Sequence, residues 1–194
     1  MARGKDMHRP TLKISYNAPV SLTFALLCAI ALVLHGFTDG WTTTNLFQVY
    51  RCQLTPLACF RFFGHVLGHS GYSHFIGNIV LILVLGPGLE DRYGSFPVLW
   101  SILFTALISG LIQFIFFPAS ALLGASGIVF MMIMLASFGG MRSGTIPLTL
   151  ILVAIFYLGG ELWDAIFVRD NVSQLTHIIG GLCGTLLGFS LGRR

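Results

Sequence analysis

The sequence predicts an all-α membrane protein in which six transmembrane helices form a single bundle. Of its 194 residues, 55% are hydrophobic and only 9% are charged, with a mean hydropathy of +0.85, whereas about a quarter of the residues in an ordinary soluble domain are charged. A bilayer core about 30 Å thick requires roughly 20 apolar residues per helix, so the chain has room for about six spans. We expect residues 1–19 to form a basic cytoplasmic tail and residues 20–194 to form one membrane domain.

Each span is predicted from the residues at which an apolar run begins and ends. Pro19 suits the first turn of the first helix, where no backbone N–H is needed. The Gly-Pro-Gly sequence at 86–88 is expected to break the second helix before a charged turn at Glu90, and Pro118 is expected to stop the third. The first run follows basic residues as a signal peptide does, but residues 35–39 make a poor cleavage site, so we interpret it as a membrane helix. The predicted spans are residues 20–37, 74–85, 95–117, 124–139, 147–158 and 174–191.

The connection between the first two spans, residues 38–73, is long and contains aromatic residues interleaved with Arg51 and Arg61. This mixture is typical of a segment that lies in the membrane interface. Two of the four cysteines, Cys52 and Cys59, also lie there. Their spacing leaves two alternatives open, a disulfide in an oxidising compartment or two free thiols.

Basic residues are concentrated at the two ends of the chain, which predicts topology rather than nucleic-acid binding. With six spans and a cytoplasmic N-terminus, only Arg51, Arg61 and Arg169 among the Lys and Arg residues lie on the outer side. This is the asymmetry that the positive-inside rule expects. We therefore attribute the net charge of +4 to orientation in the lipid bilayer, with both termini cytoplasmic and no nucleic-acid partner.

Four polar residues are predicted at a similar depth below the outer surface: His74, Asn78, Ser126 and His177. Polar groups at membrane depth are costly and are functional candidates by default. His74 and Asn78 are four residues apart and share one helix face. Small residues surround Ser126, and glycines recur every four residues after His177, which allows neighbouring helices to approach closely.

These residue types are the components of a serine protease. A serine hydroxyl becomes an effective nucleophile when a base within hydrogen-bond reach accepts its proton, and histidine is the usual base near neutral pH. Acyl transfer also requires donors at the developing oxyanion, which His74, Asn78 and a backbone N–H at the start of the fourth span could supply. No acid is obviously placed to orient His177, so a Ser126/His177 dyad is the simpler hypothesis.

The motifs, in this order and spacing, resemble the rhomboid family of intramembrane serine proteases over nearly the whole chain beyond the tail. Gly124-Ala125-Ser126-Gly127 is similar to the family's GxSG nucleophile motif. Phe60-Arg61 falls where the family has Trp-Arg, and Phe130 where many bacterial members have a tyrosine that stacks on the catalytic histidine. The family's second-helix pattern is matched by His65, His69, His74 and Asn78, and its ExRxGS turn by residues 90–95. Its third-helix residues are matched by Ser109, Gly110 and Gln113. Its sixth-span histidine followed by glycines is matched by His177, Gly180 and Gly184.

The resemblance implies a rhomboid-like six-helix bundle with a long interfacial first loop, and an endopeptidase that cleaves transmembrane protein substrates near the outer face of the bilayer. In family terms, Ser126 is the nucleophile, His177 the general base and acid, and His74 and Asn78 contribute to the oxyanion hole. No metal or organic cofactor is implied. The fifth helix and the loop at 159–173 are expected to move to admit substrate. The lack of an additional domain leads us to expect a bacterial plasma-membrane enzyme.

Three alternatives remain at this point. The first is a catalytically inactive rhomboid-like protein that binds membrane clients. The second is a metal or proton carrier that uses His65, His69 and His74, although residues 66–68 lack the glutamate of an HExxH zinc site. The third is a specialised member that trims one class of C-terminal anchor.

Overall fold

The computed structural model describes residues 16–139, 148, 151–152, 155 and 171–191. In these parts the chain is helical, without a β-strand, and the only extended pairing is an isolated bridge between Val49 and Leu122. The prediction of an all-α membrane bundle is confirmed. The helices described are α1 (Pro19–Phe37), α2 (Trp41–Leu46), α3 (Pro56–Gly64), α4 (Tyr72–Tyr93), α5 (Ser95–Phe116), α6 (Ser126–Gly139) and α7 (Asn171–Leu191).

Five of the six predicted spans coincide with described helices. Among the described residues, α1, α4 and α5 are long and apolar enough to cross a membrane, and residues 126–138 and 176–191 form shorter apolar helices. The predicted fifth span falls at residues of which only 148, 151–152 and 155 are described, all of them helical. The basic tail up to residue 15 and the loop at 159–170 lie outside the described residues.

The predicted break at residues 86–88 is wrong, because α4 continues through Pro87 to Tyr93. Proline removes one helical hydrogen bond, but tertiary contacts on both sides of it hold the helix. Gly86 lies directly against Ser21 of α1, where a β-carbon would collide with the serine hydroxyl. The chain instead turns at Gly94, whose φ of +87° favours glycine.

Glu90 joins three helices at this end of the molecule. Its carboxylate accepts hydrogen bonds from the backbone N–H groups of Val20 and Ser21, at 3.1 and 2.7 Å, and from the hydroxyls of Ser21 and Ser95, both at 2.7 Å. The two N–H groups belong to the first turn of α1, where backbone N–H groups have no acceptor within their own helix. A negative charge at a helix N-terminus is also favourable. The starts of α1 and α5 and the end of α4 therefore lie together.

The segment between α1 and α4 is folded onto α5 and the start of α6. Arg61 is buried, donates to the carbonyl oxygen of Asn45 and lies over the ring of Tyr50, 4.6 Å from its centroid. Gly110 of α5 packs against Phe62 of α3. The bridge between Val49 and Leu122, with N–O distances of 3.0 and 2.9 Å, connects this segment to the residues that precede α6.

Glycines bring α6 and α7 into backbone contact. A β-carbon at Gly180 would collide with the carbonyl oxygen of Gly127, and one at Gly184 would lie 2.5 Å from the carbonyl oxygen of Met131. A β-carbon at Gly188 would likewise lie 2.7 Å from the ring of Phe138. This repeat of four residues places one face of α7 directly on α6.

Candidate active site

The residues before Ser126 are positioned by two histidines. The N–H of Gly124 donates to the carbonyl oxygen of His65 at 2.9 Å. A β-carbon at Gly124 would lie 2.7 Å from Cε1 and 2.8 Å from Nε2 of His74, and its φ is +114°. Both the conformation and the space require glycine here. The small residue at the start of the motif therefore admits the His74 ring.

His74 and Asn78 lie one turn apart near the start of α4. The Nδ2 of Asn78 donates to the carbonyl oxygen of His74 at 2.9 Å, and Nδ1 of His74 lies 3.2 Å from the hydroxyl of Ser70. Asn78 is buried, whereas His74 is partly exposed. The His74 ring therefore borders both the interior and an accessible surface beside Gly124.

His177 stacks on Phe130. The ring centroids are 4.8 Å apart, with an angle of 20° between the planes. Phe130 lies four residues after Ser126, so the two side chains share one face of α6. His177 is buried and Ser126, the first residue of α6, is partly exposed. The stack therefore places the imidazole on the face of α6 that carries Ser126.

The contact between α6 and α7 is closest beside these two residues. Gly127 packs against Thr176, with 3.0 Å from an added β-carbon to the threonine methyl group, and Gly180 touches the Gly127 backbone. Each of these residues is within three positions of Ser126 or His177 in the sequence. The small residues Gly127 and Gly180 thus bring the backbones of the two helices together beside Ser126 and His177.

His65 and His69 are buried histidines next to this part of the site, the first in contact with Gly124 and the second with His74. Nε2 of His65 donates to the carbonyl oxygen of Ala106 at 3.1 Å, and Nδ1 of His69 donates to that of Leu67 at 3.1 Å. Burial lowers the pKa of His65 to about 4. Burial, and then the neighbouring His74, lower the pKa of His69 to about 4. Both rings are therefore neutral at physiological pH.

No group of three or more His, Cys, Asp or Glu side chains is placed to hold a metal ion within the described parts of the chain. The ring of His69 instead meets that of His74 edge to face, with centroids 5.1 Å apart. The sequence analysis did not predict this contact of His69. The only signal in the sequence was the spacing of five residues between His69 and His74, and this spacing does not show whether the two rings touch.

Comparison with known proteins decides the family. The Rhomboid domain matches residues 56–194, which include every residue of the candidate site. The chain belongs to the rhomboid family. The resemblance inferred from the motifs is therefore confirmed, together with a membrane location and contact with the lipid bilayer.

Relatives within the family span animals and bacteria. The chain is 31% identical to Rhomboid-related protein 2 of Mus musculus over 68% of its length and 47% of that protein. It is 30% identical to Rhomboid-related protein 1 of Caenorhabditis elegans, over 66% of the chain and 39% of that protein. It is 23% identical to Rhomboid protease GlpG of Pectobacterium atrosepticum, over 88% of the chain and 62% of that protein.

These relatives bear on the fold more than on the activity. The matched region covers less than two thirds of each relative's own length. Of the three names, that of GlpG alone states an activity. The rhomboid fold of this chain is thus established, whereas its catalytic activity, its substrates and its orientation in a particular membrane are proposals.

Proposed function

We propose that this rhomboid-family chain is an intramembrane serine endopeptidase that cleaves transmembrane protein substrates near the outer face of the bilayer. The observation that carries the proposal is the stacking of His177 on Phe130, one helical turn from Ser126 on the same face of α6. Because the buried imidazole of His177 packs on the face of α6 that carries Ser126, the serine has the base that it needs to become a nucleophile.

In this mechanism Ser126 attacks the scissile carbonyl carbon while His177 accepts the hydroxyl proton. His177 then gives that proton to the leaving amine, and water hydrolyses the acyl-enzyme with the imidazole again acting as base. The oxyanion is bound by His74, Asn78 and the backbone N–H of Ser126. The contact of His74 with Gly124, two residues before the nucleophile, supports its assignment to the oxyanion hole. The reaction requires no metal or organic cofactor.

We further propose that the enzyme lies in the plasma membrane with both termini in the cytoplasm. The distribution of Lys and Arg residues supports this orientation. It places the starts of α4 and α6, and with them His74 and Ser126, towards the outer side. Cleavage would then occur near the outer face of the bilayer.

A fluorophosphonate probe tests the nucleophile without requiring the substrate. Purified protein in detergent should be labelled, and labelling should fall by at least about 100-fold in both Ser126→Ala and His177→Ala. The first variant lacks the nucleophile, and the second lacks the general base, which contributes about that much or more. Ser73→Ala is the matched control, since Ser73 is an exposed serine beside His74 with no role in the mechanism. Its labelling should equal that of the wild type.

The outcome separates a protease from an inactive relative. Labelling that persists in Ser126→Ala would reject the assignment of the nucleophile. No labelling of a correctly folded wild type would reject the proposed activity and favour a rhomboid-like protein that binds membrane clients without cleaving them. Melting temperatures of all variants, measured in the same detergent, exclude loss of fold as the cause.

A further inference from the structure

An apolar groove of 440 Å³ lies between α1 and α5, outside the candidate active site. Residues from Pro19 to Leu27 form one wall, and residues from Leu99 to Ala106 form the other. Phe60 and Phe63 of α3 close one end. The volume lies within the range of about 300–1,000 Å³ that is typical of pockets for small ligands. None of the groove residues takes part in the proposed chemistry, so an occupant would have another role.

The groove opens onto the lipid-facing surface of the bundle. Leu27, Phe60, Phe63 and Leu103 line it and are themselves exposed on that surface. In a membrane protein, an apolar groove that is continuous with a lipid-contacting surface is accessible to the acyl chains of the surrounding lipids. The bilayer is therefore the source of the occupant.

The groove has one hydroxyl-bearing side chain near the start of α1, and aromatic rings close its other end. Thr23 lines the wall one turn into α1, and its hydroxyl lies 3.1 Å from that of Tyr16, which is exposed and donates to the carbonyl oxygen of Pro19 at the start of the helix. Tyrosines concentrate at the level of the headgroups. This end is therefore suited to the glycerol and headgroup of a lipid, whereas the end at Phe60 and Phe63 is suited to a hydrocarbon tail.

The length of the groove selects an acyl chain over a helix. The wall from Pro19 to Leu27 rises about 12 Å at 1.5 Å per residue. One leaflet of hydrocarbon is about 15 Å thick, half of the bilayer core. A partner helix would cross the whole core of about 30 Å, which is more than twice the length of this wall.

We propose that this groove binds one acyl chain of a phospholipid from the leaflet at which α1 begins, with the headgroup near Thr23 and the chain end against Phe60 and Phe63. A membrane-spanning helix of a second copy of the chain does not fit, because it is longer than the groove. The basic residues of the preceding tail do not fit either, because burial of unpaired charges among apolar side chains is costly. The bound chain fills the space beneath α3.

Photo-crosslinking in phosphatidylcholine vesicles tests the site and the direction of the chain. The vesicles contain a small fraction of phosphatidylcholine with a diazirine either near the methyl end or near the carboxyl end of one acyl chain. Mass spectrometry then measures the adduct on each peptide. The methyl-end probe should label the peptide of Phe60 and Phe63 severalfold more than that of the highly exposed Val84. The carboxyl-end probe should label residues 19–23 in preference.

Two leucines of nearly equal exposure provide matched variants. Leu103 lines the groove and is 38% exposed, whereas Leu83 lies on α4 outside it and is 40% exposed. Leu103→Trp should narrow the groove and reduce its adducts severalfold, and Leu83→Trp should leave them unchanged. Leu103→Ala, which keeps the groove open, should retain them and shows that substitution at this position does not disturb the fold.

Three results would overturn the proposal. The first is equal labelling of all lipid-facing peptides, which would mean ordinary boundary lipid. The second is an equal effect of Leu103→Trp and Leu83→Trp. The third is a loss of groove adducts as the protein-to-lipid ratio rises, which would assign the groove to a second copy of the chain. Each result is independent of Ser126, so it does not depend on the proposed protease activity.

Discussion

Individual residues at the candidate site have a narrow set of acceptable replacements. Gly124 is constrained both by its φ of +114° and by the ring of His74. Phe130 is constrained by its stack on His177. These two constraints act on different histidines, one near the proposed oxyanion and one at the proposed base, and so they can be tested separately.

Gly124→Ala should impair the site. Its backbone conformation is strained for an L-residue at a cost of about 1–3 kcal/mol, and the new methyl group would displace the His74 ring. We expect a lower melting temperature and a slower rate of fluorophosphonate labelling. Gly77→Ala is the control, because a β-carbon at Gly77 meets nothing within 4 Å. Equal labelling rates in the two variants would show that the contact between Gly124 and His74 is not required.

Phe130 should act as a positioning residue through its ring. Phe130→Tyr retains the stack, whereas Phe130→Leu removes an aromatic contact worth about 0.5–1.5 kcal/mol. The labelling rate should therefore stay near that of the wild type in the tyrosine variant and fall up to about tenfold in the leucine variant. The pH dependence of labelling should also shift in the leucine variant alone, since a merely structural effect would leave it unchanged. Identical pH profiles in both variants would contradict this role.

At the scale of elements, the most extensive contact between the described helices is that between α6 and α7. Successive glycines of α7 face the α6 backbone at Gly127 and Met131 and the Phe138 ring. Because Ser126 and His177 lie at one end of this contact, the spacing of the two helices determines the distance between the proposed nucleophile and base. The same small residues that stabilise the packing therefore also control the geometry of the site.

Gly180→Ala and Gly181→Ala form a matched pair on adjacent positions of α7. A β-carbon at Gly180 would collide with the Gly127 backbone, whereas one at Gly181 would lie 4.0 Å from Phe130. Overpacking of this kind costs about 1–3 kcal/mol. Thermal unfolding in detergent should show a clear loss of stability for Gly180→Ala only, together with loss of labelling. Similar melting temperatures for both variants would reject close backbone contact between the helices.

At the scale of the whole molecule, two buried neutral histidines link stability to pH. The pKa of His65 and of His69 is about 4 in the folded chain, from a reference value of 6.5. Between these values the unfolded chain binds more protons, so the free energy of unfolding decreases as the pH falls. For the fully buried His65 this is about 1.4 kcal/mol per pH unit, and nothing is lost above about pH 7.

Thermal unfolding in detergent between pH 7.5 and pH 4.5 measures this effect. The wild type should lose stability progressively below about pH 6.5. The slope should be shallower in His65→Gln and in His69→Gln, because the unfolded variant no longer takes up that proton. A melting temperature that is the same at pH 7 and pH 5 would contradict burial of the two rings in the neutral form.

The sequence determined much of the bundle. Composition, the apolar runs and the helix ends predicted an all-α membrane fold and five spans that the structure describes. The prediction of a helix break failed at Pro87. Local propensity indicates a break there, but Gly86 and Glu90 of α4 contact Ser21 of α1, and the local sequence does not reveal these contacts. Glu90, which the sequence placed in a charged turn, accepts from Ser95 across that turn, and it also caps α1 across 70 residues of sequence.

For the site, motifs named the residues, and the family resemblance suggested the aromatic partner of His177, but the other contacts were not predicted. The sequence by itself determined which polar side chains occur at membrane depth, because unpaired polar groups there are costly and therefore conspicuous. Only the tertiary structure gave the geometry of the stack of His177 on Phe130 and decided that Gly124 admits the His74 ring and that the ring of His69 meets it. Those contacts join residues that are distant in the chain, and they depend on how closely the helices approach one another. Periodicity within a single helix contains no information about that distance.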